Sequence, residues 1–140
     1  RAKMVYMVKI ERIYGTESKG YRILIDSLWP RGVSKEKAAI DLWAKDIAPS
    51  ADLRKQFYDH DIDEMAFRAI YLTELSSNPA SKDFLQTLRD HEDSVLLYAA
   101  KDDHENNAKV LADYLKRQGF DFSKNEPEKE PDKDDQESKI

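Results

Sequence analysis

The densest run of chemically able side chains is Asp26-Ser27-Leu28-Trp29-Pro30-Arg31-Gly32, directly after the apolar run Arg22–Ile25. A carboxylate placed there can act as a general base or orient a guanidinium. Arg31 carries a planar fork of donors that suits phosphate or carboxylate. Trp29 can wall a pocket. A second polar run, Lys101-Asp102 and then Asn106-Asn107, follows the apolar stretch Ser94–Ala100. Lys101 supplies a point charge, and Asn106 supplies hydrogen-bond donors. Together Asp26, Trp29, Arg31, Lys101 and Asn106 suit a small anionic ligand, phosphorylated ones included. Asp26 and Arg31 are the catalytic candidates if a reaction occurs. Each also has a plainer reading. Asp26 can cap a turn or pair with Arg31, Trp29-Pro30 can plug the core edge, and Lys101-Asp102 can be solvated loop.

For these residues to meet, two strands must end side by side. Met4–Ile13 mixes Val, Ile, Tyr and Met in partial alternation and reads as strand 1. Gly15–Gly20 is a turn cluster, and Arg22–Asp26 reads as a buried strand 2. Ser34 caps an expected helix over about 35–45, counted on Ala38, Ala39, Leu42 and Trp43. Ser50 caps a short helix over about 51–58. Asp61–Glu64 resembles a capping box for a helix to about Leu75, and Asn78-Pro79 starts another to about Arg89. Ser94–Ala100 is the late strand. Asp102 or Asp103 is the expected cap of a last helix that Gly119 stops. Strand 2 and the late strand are separated by helices, which favours a parallel pair. The expected fold class is α/β: a small sheet with a parallel core pair, helices packed against it, and strand 1 joined as an antiparallel edge. In such sheets ligands sit outside the carboxyl ends of the strands. The N-terminus of the last helix would favour an anion there.

Composition narrows the classes. The 140 residues fit one domain, expected over 1–120, with an acidic tail over 121–140. That tail holds eight acids and four lysines and so carries −4 of the net −5. It lacks the apolar residues to offset its ordering entropy and is expected to be disordered. The remaining body is nearly neutral, which argues against nucleic acid as a partner. Lys35, Lys37, Lys45, Arg54 and Lys55 alternate with acids, as solvated helix faces do. Cysteine is absent, so disulfides and thiolate chemistry are excluded. His60, His91 and His104 have no metal-ligand spacing. His60 suits a turn, and His104 is the histidine nearest the expected crevice. Only four glycines occur and no glycine-rich phosphate loop is present, so no nucleotide or S-adenosylmethionine cofactor is expected. No apolar run reaches signal-peptide length or the ~20 residues that span a bilayer, so a cytoplasmic protein without membrane contact is expected.

The blocks WPRGVSK, DIAPS-x-x-LRK and LLYAAKD-x-x-x-N-x-A, in order between about Val8 and Leu115, resemble the YeaO-like family of small bacterial proteins of unknown function. The resemblance implies an α/β fold and a bacterial cytoplasmic setting, and no established reaction. Asp26, Trp29, Pro30, Arg31, Trp43, Ser50, Arg54, Tyr71, Glu74, Lys101 and Asn106 match the family pattern. Two positions depart from it. Ser27 stands where the family usually has arginine. Glu105 stands where it has histidine, with His104 one residue earlier. A binding role tolerates such changes more readily than a catalytic pair does. The alternative to a ligand site is a non-catalytic module in which Trp29, Arg31 and Trp43 form an exposed patch for a protein partner.

Overall fold

The computed structural model describes residues 5–101 and 105–122. The elements, in chain order, are β1 (Tyr6–Met7), β2 (Lys9–Arg12), β3 (Tyr21–Leu24), α1 (Lys35–Ala38), β4 (Leu42–Trp43), a 3-10 turn (Lys45–Ile47), α2 (Ala51–Tyr58), α3 (Glu64–Ser77), α4 (Pro79–Asp90), β5 (Ser94–Tyr98), α5 (Asn107–Arg117) and β6 (Phe120–Asp121). The tail expectation and His104 lie outside the described residues, apart from Asp121 and Phe122. β6 and the buried Phe122 carry the described fold past residue 120.

β5 is buried at all five positions, as a strand covered on both faces must be. It takes the centre of a four-stranded parallel sheet in the order β2-β5-β3-β4. Ile23 lies opposite Leu96, and Leu24 opposite Leu97. The expected parallel pair is therefore β3 and β5. The antiparallel edge is corrected. β1 and β2, parted only by the buried Val8, pair parallel with β6 and β5 respectively. The 13–20 loop does not fold back as a hairpin, because β5 sits between β2 and β3 and gains a partner on each side. At Gly20 (φ 139°) that loop runs so close to the chain entering β5 that a Cβ would lie 2.2 Å from the Asp93 carbonyl oxygen.

Alternation along β5 divides the core. Leu96 and Tyr98 face the large layer built by α2, α3, α4 and α5, with Leu53, Tyr71, Leu88 and Leu111 fully buried in it. Val95 and Leu97 face the thin layer of α1, where Ile13 and Ala38 cover them and Trp29 and Val33 pack at the margin. The molecule is thus a three-layer α/β arrangement with very unequal outer layers.

Two helices, α2 and α4, start where their caps predict, and α3 starts two residues later than the Asp61–Glu64 capping box implies, with Asp63 as its cap. Ser50 accepts from the Leu53 N–H, Asp63 from Ala66 and Asn78 from Ala80. The helix expected over 35–45 is corrected to one turn, α1. Ala39 takes a left-handed conformation (φ 45°) and ends it. Leu42 and Trp43 then pair with Ile23 and Leu24 as the edge strand β4. Arg22 explains the detour. Its buried guanidinium donates to the carbonyls of Ala38 and Ser18, and its backbone N–H donates to the Asp41 carboxylate at 2.8 Å. Satisfying that buried charge fixes the chain at 38–41 and directs the next residues along β3. No helix among the described residues is long and apolar enough to cross a membrane.

Candidate functional site

The parallel strands all end on one side of the molecule, so the segments after β2, β3, β4 and β5 meet there. Asp26 follows β3 by two residues. Its Oδ2 accepts the Ala99 N–H at 2.9 Å, and its Oδ1 accepts from Asn107 Nδ2 at 2.9 Å. Its backbone carbonyl accepts from Trp43 Nε1 at 2.7 Å. One residue thus ties the ends of β3, β4 and β5 and the first turn of α5. Burial pushes the Asp26 carboxyl above the ordinary aspartate value. The hydrogen bonds from Asn107 and Ala99 offset part of that rise.

From the other side Arg12, the last residue of β2, donates through Nε to the carbonyls of Ala99 and Ala100 at 3.1 and 3.0 Å. Its guanidinium lies over the Tyr14 ring, and the Tyr14 hydroxyl donates to the Arg31 carbonyl at 2.8 Å. Trp29 donates through Nε1 to the Val33 carbonyl at 2.7 Å and meets Trp43 edge-on. The two tryptophans are half-buried wall material joining the 26–33 loop to β4.

The cations stand differently. Arg31 and Lys101 are exposed, and neither side chain joins an ion pair among the described residues. Asn106 is the cap of α5. Its Oδ1 accepts the Lys109 N–H at 3.0 Å and its Nδ2 donates to the Lys101 carbonyl at 3.1 Å. This corrects the expected cap at Asp102 or Asp103, which lie outside the described residues. The two adjacent asparagines divide the work, Asn106 capping and Asn107 reaching Asp26. Glu105 pairs with Arg68 on α3 at 2.7 Å, so the departure from histidine at that position carries an ion pair joining α3 to the start of α5. His60 occupies a left-handed turn after α2 (φ 63°). Among the described residues no group of three potential metal-ligating side chains gathers.

Sequence reasoning missed a second feature at the same end of the sheet. A cavity of about 520 Å³ opens beside Asp26 and is lined by Ser27, Lys45, Ser50, Arg54, Glu74 and Asn78, among others. Glu74 accepts the Ser50 N–H at 2.9 Å and the Ser50 hydroxyl at 2.6 Å. No local pattern could announce it, since Ser27, Arg54 and Glu74 are far apart in the chain. A larger open groove of about 850 Å³ lies on the α1 face, between the 13–20 and 32–41 segments. Neither counts Arg31 or Lys101 among its walls.

Comparison with known proteins agrees with the sequence resemblance. The chain is 41% identical over 111 residues to the uncharacterised protein YeaO of Escherichia coli (strain K12), covering 78% of this chain and 96% of that protein. It is 37% identical over 78 residues to the uncharacterised protein Rv3073c of Mycobacterium tuberculosis, covering 52% of this chain and 64% of that protein. No solved structure gives a significant match. The family described as the inactive DUF488-N3 subclade matches residues 7–132, and the chain belongs to that family.

Proposed function

We propose that this protein binds a small anionic ligand at the C-terminal ends of β3 and β5 and does not turn it over. The observation that carries this reading is the division of labour at the strand ends. The acid there is taken up by the fold while the cations are left over. A general base needs a free oxygen within reach of a substrate proton. Both oxygens of Asp26 already accept hydrogen bonds from Ala99 and Asn107. Arg31 and Lys101 remain exposed on the segments that follow β3 and β5, Arg31 on a turn held by Tyr14 and Lys101 next to the cap of α5. The family's description as an inactive subclade supports binding over catalysis.

The test is thermal melting of the native chain, Arg31→Ala and Lys101→Ala against anions, sugar phosphates and nucleotides. A ligand at 100 times its Kd stabilises by about 2.7 kcal/mol, several degrees for a domain of this size. A shift present in the native chain and absent from both variants is the expected result. A shift that both variants retain ends this reading.

A second reading has its own observation. Leu28 is 66% exposed between Asp26 and Arg31, and Tyr14 is also exposed beside the same loop. An apolar and arginine patch of this kind suits a protein partner. Failure of every anion to shift the melt, with a complex lost on Leu28→Ala, favours it.

A further inference from the structure

The cavity beside Asp26 is lined in part by Arg54, a side chain with one polar atom that has nothing to bind. Arg54 Nε is buried and has no hydrogen-bond partner. Among the described residues it is the one buried side-chain nitrogen or oxygen in that condition. Folded proteins pair such groups almost without exception, and the exceptions mark strain, an ordered water or a bound ion or ligand. The side chain lies in the wall of an open cavity, and its backbone makes an ordinary helical bond to Ser50.

The obvious acceptor does not serve. Glu74 lines the same cavity, but both its oxygens are held by Ser50, and Arg54 joins none of the ion pairs among the described residues. Asn78, another wall residue, gives its amide to the Asp46 carbonyl and its carbonyl to the Ala80 N–H. Lys45 adds a second cation, its ammonium resting over the Trp43 ring at 4.1 Å. Ser27 presents a hydroxyl that no group among the described residues engages in a hydrogen bond. One wall carboxylate is free, that of the exposed Asp46, whose side chain joins no hydrogen bond or ion pair among the described residues. Against it stand the donors of Arg54, Lys45 and Ser27, so donors still outnumber free acceptors around this space. A guanidinium edge, an ammonium and a hydroxyl together match an oxyanion that brings two or more acceptor oxygens.

We propose that the Ser27–Lys45–Arg54 cavity is a binding site for a small oxyanion, with Arg54 as the anchoring group. The occupant is a phosphate or carboxylate group, free or at the end of a small molecule. This site is separate from the one at Arg31 and Lys101 and stands or falls without it.

The experiment is calorimetric titration of the full chain with inorganic phosphate and, separately, acetate at fixed ionic strength. Three proteins are compared, each on an Arg31→Ala, Lys101→Ala background that removes the site proposed above: one otherwise native, Arg54→Ala and Ser27→Glu. The expected result is saturable binding by the otherwise native chain that weakens at least tenfold in Arg54→Ala. Binding of phosphate alone assigns a phosphate ligand, and binding of acetate alone assigns a carboxylate. Ser27→Glu places a carboxylate in the cavity as a built-in occupant. It should melt higher than the otherwise native chain without ligand and bind neither probe, and it keeps the test decisive should Arg54→Ala fold poorly. No saturable binding of either probe by the otherwise native chain overturns the proposal. So does binding that survives Arg54→Ala, or a Ser27→Glu protein that melts lower and still binds.

Discussion

Two ionisable side chains at the C-terminal end of the sheet, Asp26 and Arg54, are both largely withdrawn from solvent, and their surroundings differ. Asp26 receives donors from Ala99, which follows β5, and Asn107, in the first turn of α5. Those segments must meet for the parallel sheet to close, so the carboxylate is filled by folding itself. Arg54 sits on α2, and the carboxylate nearest in function, Glu74, is already committed to capping Ser50. Its Nε is left without an acceptor. A charge that the backbone satisfies is part of the scaffold. One that the protein leaves unsatisfied, in the wall of a cavity, is held ready for something else.

The largest expected effect tests the scaffold half of that contrast. Asp26→Ala leaves two donors without acceptors and should cost about 3 kcal/mol, read as a loss in the denaturation midpoint. Asp26→Asn sharpens the point through pH. Burial raises the Asp26 carboxyl in the folded state, so the folded protein holds its proton more tightly than the unfolded chain does. The resulting stability is fully present below the unfolded value of about 3.9 and is lost as pH rises through the folded value. The native chain should therefore gain on Asp26→Asn toward acid pH and lose ground above that window. A stability gap that widens in the native chain's favour as pH rises contradicts the assignment.

A middle-sized effect separates capping from ligand contact. Asn106→Ala removes the cap of α5 and should cost about 1 kcal/mol. It should leave any anion response intact, because both polar ends of the side chain are already used within the protein. An anion response that falls with the cap would return Asn106 to the ligand site expected from sequence.

The smallest effect belongs to the orphan. Arg54→Met keeps the aliphatic bulk and removes a buried donor that has no acceptor. Ligand-free stability should change by less than about 0.5 kcal/mol or rise slightly. A loss of about 2 kcal/mol in chemical denaturation would mean that Arg54 has a structural partner and would erase the contrast with Asp26.

The outline of the fold was legible because it rests on local signals. Burial of Val95, Leu96 and Leu97 on both faces announces a central strand, and Ser50 and Asn78 mark helix starts by chemistry confined to a few residues. Leu42 and Trp43 misled, since helical spacing and a two-residue edge strand look alike when the deciding contact is Arg22 with Ala38, sixteen positions back. The site was legible in part. The run after β3 pointed to the correct end of the sheet, but residue type could not separate Asn106 from Asn107.

Sequence alone determined the class of the molecule: a cysteine-free α/β chain, a parallel β3–β5 pair and a polar loop at Asp26–Gly32. These follow from hydrophobic period, caps and composition, which act over a few residues. Tertiary structure alone decided which polar groups are satisfied. Asp26 meets Asn107 across 81 positions, Ser50 takes Glu74 across 24, and Arg54 is left over. Hydrogen-bond saturation depends on where distant segments come to rest, and no local pattern encodes it.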